Sequence, residues 1–159
     1  MLRLLLLTLA LLLAGCDSRP QFVNTDISEA GYARDFALTD HNGKPRTMAD
    51  FRGKAVVIFF GYTQCPDVCP TTMTGMAEAM KLLGGDAATV QVLFVTVDPE
   101  RDTQQLLAQY VPVVNPSFLG LFADAQTIAR TAQEFRVFYK KQPGSTPTTY
   151  TVDHSAGSY

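Results

Sequence analysis

The chain has 159 residues, of which 47% are hydrophobic and 18% are charged, and its formal net charge is -2. This length predicts one packed domain and leaves little room for a second. The small negative charge gives no sign of the clustered lysines and arginines that neutralise nucleic-acid phosphates, so no nucleic-acid partner is expected.

Residues 1–15 predict an export signal. They read MLRLLLLTLALLLAG, with one basic residue, a leucine-rich core too short to span a bilayer, and small residues before Cys16. Residues 13–16 are similar to the bacterial lipoprotein cleavage box, whose cysteine is lipid-modified and begins the mature protein. Asp17 is similar to the residue that retains many lipoproteins at the inner membrane. We therefore expect a lipid-anchored protein on the periplasmic side of a bacterial inner membrane, with an uncleaved signal anchor as the alternative.

Residues 16–34 mix polar residues, proline and glycine without a sustained period, which predicts a tether to a domain over residues 35–159. The domain opens with short alternating segments on either side of Asn42-Gly43. This pair is a strong turn signal and predicts a β-hairpin. His41 adjoins the turn, and we interpret it as a solvated turn residue.

Two continuous apolar runs, residues 55–60 and 90–98, predict strands covered on both faces, and the first is expected at the centre of the sheet. Between them, apolar residues recur at helical spacing until Gly84-Gly85 ends the pattern. Thioether sulfur is a soft copper ligand, but such a stripe is more typical of core packing, which we favour. The stripe consists of Met73, Met76, Ala77, Met80 and Leu83.

Two further helical patterns follow Asp102 and Asp124, and both aspartates are predicted N-caps. A short strand is expected at residues 118–122, and another begins at 150–154 after the loop QPGSTPTT. Strands that alternate with helices, after an opening hairpin, predict an α/β fold with a mostly parallel sheet. A thioredoxin-like sandwich fits this order best.

The stretch GYTQCPDVCP places Cys65 and Cys69 where a strand gives way to a helix. Unpaired N–H groups at a helix N-terminus favour a thiolate, which is both a nucleophile and a metal ligand. Thioredoxin-type exchange characteristically uses two intervening residues, whereas three separate this pair. In a helix, i,i+4 spacing puts both sulfurs on one face. A metal clamp, a redox pair and a structural disulfide all stay open at this point.

The candidates for a further metal ligand are the two histidines, His41 and His154. Zinc is disfavoured because it usually takes four protein ligands, or three and a water molecule, and only His41 and His154 accompany the cysteine pair. Cu(I) accepts two thiolates and one imidazole in a site of low coordination number. His154 follows a strand signal and is the candidate third ligand, although a lone histidine is more often structural.

Three blocks, GYTQCPDVCP, VTVDPERDT and DHSAGSY, together resemble the Sco/SenC family of copper chaperones for cytochrome c oxidase assembly. The resemblance covers residues 35–159. It implies a thioredoxin-like fold and copper bound by Cys65, Cys69 and His154. It also implies a partner in oxidase subunit II, or another copper-accepting protein, which receives copper or has its cysteines reduced.

Asp98 matches the acidic residue of the second block and is expected either to support the site or to cap a turn. Family domains ordinarily continue past the histidine through the rest of a hairpin and a last helix, so we expect a C-terminal strand and helix to be missing from this sequence. The implied role is that of a metallochaperone rather than an enzyme. The alternative is a thiol-disulfide oxidoreductase, in which Cys65 and Cys69 keep acceptor cysteines reduced.

Overall fold

The computed structural model describes residues 23–146 and 149–159. The predicted export signal, Cys16, Asp17 and the first part of the predicted tether lie outside the described residues. Residues Tyr32–Tyr159 form one unit, and residues 23–31 contain neither helix nor strand. Within the described ranges, no helix has the length and apolar character needed to cross a membrane.

Strands and helices alternate along the described chain as the sequence predicts. The strands are β1 (Leu38–Asp40), β2 (Pro45–Arg46), β3 (Ala55–Gly61), β4 (Val90–Thr96), β5 (Leu119–Phe122), β6 (Tyr139–Gln142) and β7 (Thr151–His154). The α-helices are α1 (Val68–Leu83), α2 (Gln104–Val114) and α3 (Ala125–Glu134), and short 3-10 helices cover Met48–Phe51 and Gly84–Thr89.

The main sheet has five strands in the order β2-β1-β5-β4-β3. β3, β4 and β5 run parallel, while β1 is antiparallel to β2 and β5 and so forms the predicted opening hairpin. β6 and β7 make a separate antiparallel pair. Because the parallel strands end together, β3 and β4 deliver the residues that follow them to one edge of the sheet.

The predicted central position of β3 is wrong, since β3 is the last strand of the five. Its outer edge instead pairs with the end of the described chain, where Ile58 and Tyr159 exchange backbone N–H···O bonds of 2.8 and 2.9 Å. A continuous apolar run indicates that both faces of a strand are covered. It does not distinguish an interior strand from an edge strand that other segments cover.

The core lies between the sheet and the helices. Phe59 and Phe60 of β3 and Phe94 of β4 are fully buried, and each buried aromatic side chain contributes on the order of 1.5–3 kcal/mol. Met73, Ala77 and Met80 of α1 are also buried, as predicted for the methionine stripe, whereas Leu83 at the end of the stripe is exposed. The buried face of α1 therefore packs in the same core as the phenylalanines of β3 and β4.

His41 is not the solvated turn residue that the sequence predicts. Its side chain is 8% exposed, and its Nδ1 accepts a hydrogen bond of 3.0 Å from the backbone N–H of Gly120. Burial lowers the pKa of His41, which favours the neutral ring that can accept this bond. The Asn42-Gly43 turn forms as predicted, but the residue before it faces β5 rather than water.

The prediction that Asp102 caps a helix is wrong. The N-cap of α2 is Thr103, whose hydroxyl accepts from the backbone N–H of Leu106 at 3.2 Å. Asp102 lies one residue earlier and points into the protein, where it is 2% exposed. The other predicted cap is confirmed, because Asp124 accepts from the backbone N–H of Thr127 at 2.9 Å and precedes α3.

Candidate metal centre

The two cysteines lie at the junction between β3 and α1. Cys65 belongs to the connecting loop, and its backbone N–H donates to the carbonyl of Tyr62 at 3.2 Å. Cys69 is the second residue of α1, and its N–H donates to the sulfur of Cys65 at 3.4 Å. An amide at the N-terminus of α1 therefore points at the Cys65 sulfur.

The cysteine side chains differ in their surroundings. Cys65 is half-buried, Cys69 is fully buried, and both are free cysteines. Burial, together with a hydrogen bond to Cys65, raises the pKa of the Cys69 thiol well above its ordinary value. A metal ion that binds here must therefore displace a proton from Cys69.

His154 reaches the cysteines from β7. Its Nε2 lies 3.3 Å from the Cys69 sulfur, and its Nδ1 lies 3.0 Å from the carbonyl oxygen of Ser155. Because a carbonyl can only accept, this contact places the ring proton on Nδ1 and leaves the Nε2 lone pair facing the thiol. The rings of Phe59 and Tyr62 make T-shaped contacts with the His154 ring, with centroids 6.0 and 5.9 Å away.

The structure thus brings together the three residues predicted as metal ligands. The two sulfurs and a ring nitrogen of Cys65, Cys69 and His154 all lie within 4.8 Å of one another, although His154 is 85 residues from Cys69 in sequence. Two thiolates and an imidazole form a soft donor set of the kind that Cu(I) prefers. Ligation by these residues stays a prediction.

Gly61 makes room for the buried thiol. A Cβ atom on Gly61 would lie 2.9 Å from the Cys69 sulfur and 2.9 Å from a ring carbon of Phe94, where 3.4–4 Å is ordinary contact. Gly61 is not among the predicted site residues. It is the last residue of β3 and the first residue of the block GYTQCPDVCP, and this position is the sequence signal that relates it to the site.

Asp98 stands beside the ligand group rather than in it. Its carboxylate is fully buried, pairs with Arg101, and accepts a 2.6 Å hydrogen bond from the Tyr150 hydroxyl. Tyr150 directly precedes β7, so Asp98 contacts the segment that carries His154. Of the two roles expected for Asp98, this contact favours support of the site. The hydrogen-bonding residues that surround the site are not predicted from the sequence. They are Thr63, Arg101, Asp102 and Tyr150.

Comparisons with known proteins show the family of the chain. Residues 24–159 match the protein-family model SCO1/SenC. The chain is 42% identical over 127 residues to the mitochondrial SCO2 homolog of Bos taurus. The matched region covers 79% of this chain and 48% of that protein. The chain therefore spans about half the length of this curated relative.

Solved structures show the same fold. ScoI of Bradyrhizobium japonicum with copper bound is 43% identical, with a TM-score of 0.75 over 79% of this chain and 80% of that one. Yeast Sco1 with copper bound is 32% identical, with a TM-score of 0.71 over 79% and 70% of the two chains. These likenesses confirm the predicted thioredoxin-like α/β fold.

Proposed function

The chain belongs to the SCO1/SenC family, and we propose that it is a copper-binding chaperone for cytochrome c oxidase assembly. The observation that carries the proposal is the convergence of two cysteine sulfurs and one histidine nitrogen within 4.8 Å. Relatives of this fold that were solved with copper bound, at 43% and 32% identity, support copper as the cargo.

The site's geometry suits uptake and release of Cu(I). Cys65, whose sulfur accepts from the N–H of Cys69, would meet an incoming ion first because it is only half-buried. Cys69 then gives up its proton and becomes the buried second ligand, while the lone pair of His154 Nε2 completes the site. Since Cys65 and His154 are only half-buried, an acceptor's thiols can replace them one at a time from the open side.

We place the acceptor among copper-accepting proteins with a dinuclear centre, and specifically at subunit II of cytochrome c oxidase, as the family resemblance implies. We also propose that acyl chains on Cys16 anchor the protein at the periplasmic face of the inner membrane, since two or more chains give stable attachment. An anchored chaperone of this kind would meet a membrane-bound oxidase in the same compartment.

The proposal is tested by anaerobic titration of the reduced 159-residue chain with Cu(I) against a competing chelator. One ion per chain is expected, Cys65→Ser or Cys69→Ser should each abolish tight binding, and His154→Ala should weaken it. The loaded chain is then mixed with the reduced, metal-free copper domain of oxidase subunit II, and copper is measured after separation. Full binding by both single cysteine variants would refute the site.

A second candidate, the thiol-disulfide oxidoreductase, is favoured by the asymmetry of the cysteine pair. The half-exposed Cys65 thiolate could attack a disulfide sulfur of an acceptor, which forms a mixed disulfide and releases one acceptor thiolate. Cys69 would then lose its proton and attack the Cys65 sulfur, which releases the second thiolate and leaves a Cys65–Cys69 disulfide. If the chain reduced a generic disulfide substrate as fast as thioredoxin does and transferred no copper, the oxidoreductase function would be favoured over the chaperone function.

A further inference from the structure

We propose that residues 98–102, called here the clamp turn, position both ligand-bearing segments of the site although they supply no ligand themselves. Asp102 fixes the cysteine loop, while Asp98 and Arg101 fix the hairpin that carries His154. This inference rests on the proposed copper-binding role of Cys65, Cys69 and His154. It makes the aspartates and the arginine positioning residues.

The contact with the cysteine loop runs through Thr63, two residues before Cys65. The buried carboxylate of Asp102 accepts from the Thr63 backbone N–H at 3.0 Å and from the Thr63 hydroxyl at 2.6 Å. The hydroxyl of Thr96, at the end of β4, donates to the same carboxylate at 2.6 Å. A buried carboxylate is costly unless donors satisfy it, so these three bonds hold the loop start against β4.

The contact with the hairpin runs through Tyr150, which directly precedes β7. Asp98 accepts from the Tyr150 hydroxyl at 2.6 Å, and Arg101 donates to the Tyr150 backbone carbonyl at 2.9 Å. The Arg101 guanidinium also stacks 3.6 Å from the centre of the Tyr150 ring, which is a close cation–π contact. Tyr150 is thereby held at its hydroxyl, its ring and its main chain, four residues before His154.

Arg101 joins the two sides. Besides its contacts with Asp98 and Tyr150, it donates to the side-chain oxygen of Gln64 at 3.1 Å, next to Cys65. The clamp turn itself is braced, because the N–H groups of Arg101 and Asp102 both donate to the carbonyl of Asp98, at 3.1 and 2.9 Å. One guanidinium on a rigid turn therefore contacts both the cysteine loop and the hairpin.

The hairpin needs this support. β6 and β7 pair only with each other among the named strands, and an isolated two-stranded hairpin is marginally stable in water. Glu100 of the clamp turn adds an ion pair with Lys141 of β6, although both side chains are largely exposed and the pair is weak. The contacts of Asp98 and Arg101 hold the hairpin just before His154, while the rings of Phe59 and Tyr62 pack against the histidine itself.

The metal-free protein offers a direct readout, because its sequence contains two histidines. In an NMR spectrum of the histidine rings, His154 reports the site and His41, buried against Gly120, serves as an internal reference. Arg101→Met keeps the aliphatic stem and removes the guanidinium. We expect it to shift or broaden the His154 resonances and to leave those of His41 in place, and we expect Tyr150→Phe to do the same to a smaller degree.

Cu(I) affinity supplies the second readout. Loss of a residue that orients a metal ligand typically lowers affinity about 10- to 100-fold, and we expect a loss in this range for Arg101→Met. In a His154→Ala background the additional loss should be much smaller, because most of the contacts of Arg101 are with the hairpin that carries His154. Thr63→Val should also weaken Cu(I) binding, by the same factor in the parent chain and in the His154→Ala background. Thr63→Ser keeps the hydroxyl and should bind Cu(I) as tightly as the parent chain does. Arg130→Met, which removes an exposed arginine of α3, is the matched control and should change neither readout.

Three results would overturn the inference: unchanged His154 resonances in Arg101→Met, equal changes at His154 and His41, or an undiminished loss of affinity in the His154→Ala background. The proposed function fails separately, if the parent chain takes up no Cu(I). In that case the ring resonances of the metal-free variants still decide whether the clamp turn positions His154.

Discussion

Replacing Gly61 with alanine tests whether the packing around the Cys69 sulfur is as tight as the structure shows. The new methyl group would lie 2.9 Å from that sulfur, 2.9 Å from a Phe94 ring carbon and 3.0 Å from a Phe59 ring carbon. The closest of these contacts falls about 0.5 Å short of the 3.4 Å at which ordinary contact begins. All three neighbours are fully buried, so none can swing out into solvent.

Overpacking of this kind costs typically about 1–3 kcal/mol, and we expect the free energy of unfolding of Gly61→Ala to fall by that amount. Because the sulfur must move, Cu(I) affinity should fall as well. Unfolding is measured by denaturant titration of the metal-free chain, and affinity by chelator competition. The two measurements separate loss of stability from displacement of the ligand.

Gly120→Ala is the matched control. Its methyl group would crowd Val111 at 3.0 Å and Leu107 at 3.2 Å, so a similar loss of stability is expected, but it does not approach a cysteine. Gly120→Ala should therefore keep the parent's Cu(I) affinity. If Gly61→Ala binds Cu(I) as tightly as Gly120→Ala does, the reasoning about the Cys69 sulfur is refuted.

Three further predictions concern the rest of the chain. Burial lowers the pKa of His41 in the folded chain, so the unfolded chain binds more protons as the pH falls. The stability that His41 contributes should therefore be complete above about pH 6.5 and decline below it. His41→Asn can still accept a hydrogen bond from Gly120 and should remove that decline in denaturant titrations across pH. Asp124→Ala removes the N-cap of α3 and should lower the free energy of unfolding by about 1 kcal/mol, while an unchanged midpoint would show that the cap contributes nothing. Cys16→Ala should block lipid attachment, which membrane fractionation and intact mass would detect; an unmodified, soluble parent chain would contradict the proposed anchor.

Local sequence signals predict much of the fold because they act over a few residues. The Asn42-Gly43 turn, the Gly84-Gly85 stop and the Asp124 cap each depend on neighbours within one turn of the chain, and each is found where predicted. β6 carries no such signal. Its residues, YKKQ, are largely polar because the strand lies on the surface, so its pairing with β7 is what makes it a strand.

Contacts between residues that are far apart in the chain could not be predicted from the sequence. The cysteine pair is visible from its spacing, but His154 becomes a specific candidate only through the family resemblance. Asp102 lies where a cap would be expected, yet it faces a hydroxyl 39 residues earlier in the chain. The role of Arg101 depends on a tyrosine 49 residues later. Contacts of this kind are set by tertiary packing, which overrides the local preference.

We propose that Cys65, Cys69 and His154 bind one copper ion together. X-ray absorption of the chain loaded with one equivalent of Cu(I) tests this most directly, because it counts the sulfur and nitrogen neighbours of the metal. We predict two sulfur ligands and one imidazole nitrogen in the parent chain, with the nitrogen lost in His154→Ala. A copper ion with two sulfurs and no nitrogen in the parent chain, or an unchanged spectrum in His154→Ala, would contradict the claim.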